Sequence, residues 1–490
     1  MATTEFIAAI ELGSSKITGI AGKRHGDGSI EILSYAREDS KGAIRKGMVY
    51  NLDKTAQILT NIINQMEDDL SATIGKVYVG LSGQSTHTVK NQVNRDLEQE
   101  SLITDELIES LIEEDRKFSY KDLELHDVFP QEYKIDNVEQ KEPTGIKGNH
   151  LEGRFMNVVS RILLKKNILQ SFERAKIDIA NIQLSPVACA NVVLTESEKR
   201  SGCVLVDFGA DTTTVTIYKN NILRFLTVIP LGGDAITKDI TSLNILEDEA
   251  EKIKIQYGNA VLEEHNEEEG EEEPEFELES DGRTFKFSQL NELVEARAEE
   301  IVANVVNQIE LAGYNESKLI SGMVITGGGS NLKNIDTLIR KKSNFERIRL
   351  ARHIQEAIES DTNVITKDGT QATLFGLLFA GRENCCQEEP QQPEPVEVHP
   401  VETSPTDEHP VEEETQQGDL FNDDQELERQ KAEAAERIAA EEALKEKEKN
   451  ERKKKKKNEK KGGFMKVLQM FGEKTANNFF DDDNSFSKED

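Results

Sequence analysis

Through the first 381 residues apolar positions come in short runs separated by glycine-marked turns, and beyond them the runs stop. Residues 6–10 (FIAAI) read as a buried strand that turns through Glu11, Leu12, Gly13, Ser14, Ser15 and Lys16 into a second strand, ITGIAG. The pattern returns a domain's length later. Strand 203–206 leads through Asp207, Phe208, Gly209, Ala210, Asp211, Thr212 and Thr213 into strand 214–218. Strand 323–326 opens into Gly327, Gly328, Gly329 and Ser330 and then a helix. Alternation in KVYVGLSG puts Val77, Val79 and Leu81 on one strand face; a helix is predicted at 104–117, a strand at EYKID, a strand at 155–161 and a helix at about 167–177. EDEAEKIKIQYG reads as a helix with Glu251 and Lys254 three apart on one face. Strands and helices interleaved in this way predict an α/β fold.

After Gly381 the composition changes. A Glu-, Gln- and Pro-rich stretch lacks the apolar area to fold, and a charged segment at 425–450 follows that reads as a solvated single helix or disorder rather than a coiled-coil partner. Then come a basic block (ERKKKKKNEKK), two glycines and the short apolar stretch FMKVLQMFGEKTANNFF. Inside the globular part, EEHNEEEGEEEPEFELE at 263–279 reads as a solvated surface insertion. With 60 Lys and Arg against 93 Asp and Glu, the net charge is -33, which argues against a protein that wraps nucleic acid. No run reaches the ~20 apolar residues that cross a bilayer, and the N-terminus lacks the basic region of a secretory signal. Four cysteines without a CxxC pair suggest a reducing compartment and no metal cluster, so the chain reads as cytosolic.

The paired hairpins carry the chemistry. In each, a carboxylate ends a buried strand, a glycine follows two residues on, and hydroxyl side chains come next. A glycine turn lets backbone N–H groups approach phosphate oxygens, hydroxyls add donors, and the carboxylate can hold Mg²⁺ through its waters. No Walker A loop is present. Two such hairpins suggest two related halves closing on one phosphate chain.

The order ELGSSK, VDFGADTTT, PLGGDAITKDI, EAEKIKIQYG and ITGGGS resembles the actin/Hsp70/sugar-kinase ATPase superfamily. KVYVGLSGQSTHT, LEGRFMNVVSRILLKKNILQSFERAKID and the terminal helix resemble the bacterial cell-division FtsA family in particular, over about residues 5–381 and again at the C-terminus. The resemblance implies a two-lobed actin-like ATPase fold, with duplicated RNase-H-like cores and an inserted α+β subdomain, followed by a disordered and charged-helix tail. The first lobe would be residues 1–79, 166–199 and 361–381, with the insertion at 80–165. The second lobe would be 200–232 and 303–360, its small subdomain 233–302, the linker 382–463 and the terminal helix 464–480. ATP·Mg²⁺ would lie between the lobes, with Gly13, Ser14, Ser15 and Lys16 as the first phosphate loop and Gly209, Asp211, Thr212 and Thr213 as the second. Glu251 and Lys254 would face the ribose and base, Gly327, Gly328, Gly329 and Ser330 the adenosine, Gly233 would also bind the nucleotide, and Glu11 and Asp207 would face the Mg²⁺ through water. Many superfamily members carry Asp where this chain has Glu11. The extra methylene moves that carboxylate, so ATP binding with at most slow hydrolysis is expected, and no general base stands out.

The terminal helix can be argued without any family. At 100° per residue, Phe464, Val467, Leu468, Phe471 and Phe479 share about one third of the circumference, with Met465 at its edge. Lys453, Lys454, Lys455, Lys456 and Lys457 precede it, and each basic residue near an anionic leaflet contributes about 1 kcal/mol. A membrane anchor is favoured over a partner's groove, because a neutral groove has no use for the lysines. The resemblance then implies a filament-forming tether that holds FtsZ filaments, through their C-terminal tail on about 233–302, at the inner face of the cytoplasmic membrane at the division site. Its further partners would be copies of itself, anionic lipids and later divisome membrane proteins. The alternatives are a small-molecule kinase of the superfamily and a pilus-assembly actin homologue, neither of which explains the tail. An Hsp70-like chaperone would need strands after 381, and none are predicted.

Overall fold

The computed structural model describes residues 5–262, 274–352, 354, 355, 357–360 and 364–387. The first hairpin is β1 (Ile7–Leu12) and β2 (Lys16–Arg24), which β3 (Ile30–Asp39) extends into an antiparallel meander. A small ribbon of β4 (Ile44–Arg45) and β5 (Met48–Val49) leads to α1 (Leu52–Leu70). Asn51 caps α1 by accepting from the Lys54 N–H, and Ile58, Leu59, Ile62, Ile63 and Met66 bury one face at three–four spacing. β6 (Lys76–Leu81) returns parallel to β1. Val77, Val79 and Leu81 are buried as predicted, and so are Tyr78 and Gly80, since an interior strand of a parallel pair is covered on both faces.

Next come β7 (His87–Leu102), α2 (Asp105–Arg116), β8 (Leu123–Ile135), β9 (Val138–Gln140) and β10 (Lys147–Arg161). EYKID lies at the end of β8, and the strand expected at 155–161 is the second half of β10. β8 tolerates Pro130 because its register against β10 shifts between Arg154 and Phe155. The displaced Gln131 donates to Leu223 O at 2.9 Å and accepts from Arg224 Nη1 at 3.1 Å. α2 closes a separate core of Ile103, Leu111, Val128, Tyr133, Leu151 and Phe155. α3 (Ile162–Ala175) starts earlier than periodicity predicted, because Ile162 and Leu163 are 49% and 56% exposed and hide its first turn.

The remaining elements are β11 (Asp178–Leu184), α4 (Ser185–Val193), α5 (Glu196–Ser201), β12 (Cys203–Phe208), β13 (Thr213–Lys219) and β14 (Ile222–Ile229). They continue through α6 (Gly233–Ile240), α7 (Glu247–Tyr257), β15 (Glu275–Glu277), β16 (Thr284–Lys286) and α8 (Phe287–Leu311). β17 (Gly322–Thr326), α9 (Ile335–Lys342), β18 (Ile348–Leu350), β19 (Ile358–Glu359) and α10 (Ala372–Ala380) follow among the described residues.

Two sheets repeat one topology. The first runs β3-β2-β1-β6-β11 and the second β14-β13-β12-β17-β18, each a three-stranded antiparallel meander followed by two parallel strands. The duplication suggested by two hairpins therefore extends to five strands of each sheet, the first of which also carries β19 beside β3. The second sheet continues as β7-β10-β8-β9, joined to β14 at Thr227 opposite His87. The acidic patch departs from expectation at its end. In EFELE the apolar residues alternate, so β15 pairs with β16 and buries Phe276 and Leu278, with Phe276 stacked 5.3 Å from Tyr257. The tail predictions at 425–450 and 464–480, with the lysine block, lie outside the described residues. Among the described residues no helix is long and apolar enough to cross a membrane.

Candidate functional site

In each sheet the penultimate residue of the first meander strand is a carboxylate in the same register. Glu11 stands opposite Thr18 and Asp207 opposite Thr214, each one residue short of its hairpin turn. The turns match as well: a Cβ on Gly13 would lie 2.6 Å from Lys16 O, and one on Gly209 2.8 Å from Thr212 O. The two turns face one cleft of about 540 Å³. Gly13, Ser14, Ser15 and Lys16 line it from one lobe, Gly209, Thr212, Gly233, Glu251 and Lys254 from the other. Gly327, Gly328 and Gly329 form a further wall, and Gly327 has φ 81° with Asp207 Oδ1 2.2 Å from where a Cβ would sit.

Three residues expected at the ligand are turned elsewhere. Asp211 Oδ2 accepts from the Lys46 N–H at 2.9 Å, Thr213 donates to Leu231 O at 2.8 Å, and Ser330 donates to Gly327 O at 2.7 Å. None of the three lines the cleft. Conversely, the sequence did not mark Tyr35, Arg37, Asp234, Thr366 or the loop from Asp368 to Gln371, all of which do. In that loop Asp368 Oδ1 accepts from the Thr370 N–H at 2.9 Å and from the Thr366 and Thr370 hydroxyls at 2.8 and 2.7 Å. Its available signal was TKDGTQAT, another Asp-Gly turn flanked by hydroxyls just before an apolar helix.

The Glu251/Lys254 pair fastens α7 to α6. Lys254 Nζ donates to Glu251 Oε2 at 2.6 Å, Thr237 Oγ1 at 2.9 Å and Gly233 O at 3.1 Å. The first N–H groups of α6 are held by the second turn, Gly233 by Gly209 O at 3.0 Å and Asp234 by Ala210 O at 2.8 Å.

Electrostatically the floor of the cleft is frustrated. Burial, reinforced by the Asp207 charge, pushes the Glu11 carboxyl up to about 7, against lowering by Lys16 and Thr18. Burial pushes Asp207 up to about 6. Glu11 Oε2 is buried without a hydrogen-bond partner among the described residues. Burial lowers the Lys16 ammonium, which the Glu11 charge partly restores. Two buried carboxylates with an unpartnered oxygen fit a hydrated divalent cation, which would remove their mutual repulsion. Among the described residues no cluster of three or more metal-ligating side chains occurs, so such a cation would draw its other ligands from water and phosphate. Backbone N–H groups, hydroxyls and Lys16 opposite this pair suit a polyphosphate with its metal.

Known proteins resemble this chain in sequence and in fold. The family model described as Cell division protein FtsA matches residues 204–368, and the one described as SHS2 domain inserted in FTSA matches residues 83–159. Cell division protein FtsA of Porphyromonas gingivalis (strain ATCC BAA-308 / W83) is 32% identical over 382 residues, covering 77% of this chain and 78% of that protein. Its counterpart from Neisseria meningitidis serogroup B (strain ATCC BAA-335 / MC58) is 30% identical over 333 residues, covering 67% and 80%. Among solved structures, a PilM-PilN type IV pilus biogenesis complex aligns with TM-score 0.53 at 15% identity, over 76% of this chain and 97% of that one. At that identity the likeness shows the fold, an actin-like ATPase fold, and leaves the choice of family to the sequence matches. These run through both lobes and the insertion, and by them the chain belongs to the FtsA family of cell division proteins.

Proposed function

We propose that the cleft binds ATP with Mg²⁺ and that the chain assembles into actin-like filaments tethering FtsZ filaments to the inner face of the cytoplasmic membrane. In this reading it also recruits later division proteins. The observation that carries the nucleotide part is the pairing of two equivalent glycine turns over two buried carboxylates, one of which keeps an unpartnered oxygen. The Gly13–Lys16 and Gly209–Thr212 turns would present N–H groups and hydroxyls to the phosphates. Gly233, with the Glu251 and Lys254 pair, would stand beside the ribose and base. Gly327–Gly329 would let the adenosine pass close to the backbone. Glu11 and Asp207 would hold Mg²⁺ through water, where it neutralises phosphate charge.

The lobes would be residues 1–79, 166–199 and 361–381 on one side and 200–232 and 303–360 on the other. The insertion, 80–165, would serve contacts between protomers, and 233–302 would receive the FtsZ tail. The helix at 464–480 and its lysine block would anchor the chain on anionic lipid. A test combines calorimetry of ATP with and without Mg²⁺ on the full-length protein with flotation of FtsZ on anionic vesicles. Mg²⁺-dependent ATP binding, and FtsZ that floats only when this protein is added, are expected. ATP binding indifferent to Mg²⁺ would remove the role of the carboxylates, and FtsZ left at the bottom would remove the tether.

A further inference from the structure

The turn between β4 and β5 touches three parts of the molecule through two adjacent peptides. Lys46 and Gly47 both take left-handed backbone, with φ 50° and 72°, as a two-residue I′ hairpin turn requires. A lysine holds that conformation when its surroundings dictate it. The Lys46 N–H donates to Asp211 Oδ2 at 2.9 Å, and the Gly47 N–H donates to Ser14 Oγ at 3.0 Å. On its other side Lys46 O accepts from the Gln84 N–H at 3.0 Å, three residues before β7 begins. Gly47 and Gly83 lie back to back: a Cβ on Gly47 would be 2.8 Å from Gly83 Cα, and one on Gly83 would be 3.1 Å from Gly47 O.

The geometry points to the Lys46–Gly47 turn as a relay that passes the occupancy of the two glycine turns to the inserted subdomain of β7, α2, β8, β9 and β10. This rests on the nucleotide reading of the cleft. The Ser14 hydroxyl accepts from Gly47 and keeps its own proton to donate; a phosphate oxygen taking that proton polarises the hydroxyl and tightens its hold on Gly47. The same anion repels the Asp211 carboxylate, which loosens its hold on Lys46. A loaded cleft therefore shifts the turn toward the first lobe. Because no side chain separates Gly47 from Gly83, the movement reaches the segment leading into β7 rather than being absorbed by a rotamer change. Asp211, expected at the phosphates, thereby acquires a different role: it grips the relay from the second lobe.

Hydrogen exchange on the full-length protein tests this, with ATP affinity measured by calorimetry on the same samples. Saturating ATP·Mg²⁺ should slow exchange across residues 84–102 by about threefold or more, through tighter closure of the segment. Gly83→Ala places a methyl against Gly47 O and Leu164 Cδ1, 2.8 Å away, and should remove at least half of that response. Asp211→Ala, measured at saturating ATP, should blunt it as well and decides the matter if Gly83→Ala does not fold. A wild-type protein that binds ATP without any change in 84–102 would overturn the relay alone, as would variants that respond like wild type. A wild-type protein that binds no ATP would overturn the nucleotide reading first and the relay with it.

Discussion

Glu11 and Asp207 are the residues whose chemistry depends most on where the fold puts them. Both are acids whose charged form burial disfavours, with carboxyls pushed up to about 7 and about 6 from ordinary values of 4.5 and 3.8. The sign follows: they favour the fold when protonated, below the ordinary values, and that stabilisation is lost as pH rises through the raised ones. A divalent cation reverses this, because it binds the carboxylates and releases their protons. Mg²⁺-dependent ATP affinity should therefore strengthen from about pH 5.5 to about pH 7.5, approaching tenfold per pH unit if one proton is released. Calorimetry across that range checks it, and a flat profile would remove the cation from this pair. Glu11→Gln should flatten the profile and stabilise the empty protein at about pH 8, as thermal unfolding would report. Asp207→Ala should weaken Mg²⁺-dependent ATP binding by about tenfold or more, some 1.4 kcal/mol; unchanged affinity would mean that the second turn is not a phosphate site. The paired turns were legible in sequence because strand, carboxylate and glycine are contiguous. Arg37 was not, since it reaches the cleft only through its pairing opposite Thr18. Nor can local sequence say which of Thr212 and Thr213 turns inward, a choice made by Leu231 O accepting from Thr213.

Among the elements, the inserted subdomain has the smallest core and the clearest dependence on single residues. α2 reaches it chiefly through Leu111, fully buried, while Asp115 on the same helix accepts from Asn91 Nδ2 at 2.7 Å. Leu111→Ala should cost about 2–5 kcal/mol within this core. Hydrogen exchange should then speed up in α2, β8 and β10 before it changes in α1 or α10, whose cores are separate. Equal acceleration everywhere would mean that the insertion does not open on its own. Helix α2 was readable from sequence because its cap and its apolar spacing agree. The beginning of α3 was not, because two exposed apolar residues opened the helix on its solvent side. The strand β15 was hidden by composition: the glutamates dominate EFELE, and only its period of two reveals the buried Phe276.

At the scale of the whole molecule, the duplicated sheets make a body, and its far end is tied down before the tail begins. After α10 the chain docks on the first lobe, where the Cys385 N–H donates to Phe6 O at 2.8 Å and the Gln387 N–H to Thr73 O at 2.9 Å. From there roughly 80 residues precede the amphipathic stretch; as a flexible coil they would reach ~50 Å and as a straight helix up to ~120 Å. If the stretch binds membrane as proposed, a single copy would be a weak anchor: the lysines before it would contribute about 1 kcal/mol each near an anionic leaflet, screened beyond a Debye length of ~8 Å. A filament would change this, because every bound copy would raise the effective concentration of its neighbours' terminal stretches at the surface. Full-length protein should float with anionic vesicles, more strongly with ATP than without, if the nucleotide favours assembly. Removing residues 464–490 should leave it in the soluble fraction with ATP affinity intact, and Phe471→Glu should come close to the same result. Raising the salt should weaken flotation of the full-length protein, since the lysine contribution is screened while that of the aromatic face persists. Flotation unchanged by the deletion would place the membrane contact elsewhere in the chain. Flotation by neither protein would assign the helix to a partner's groove, where the same apolar spacing serves but the lysines have no role.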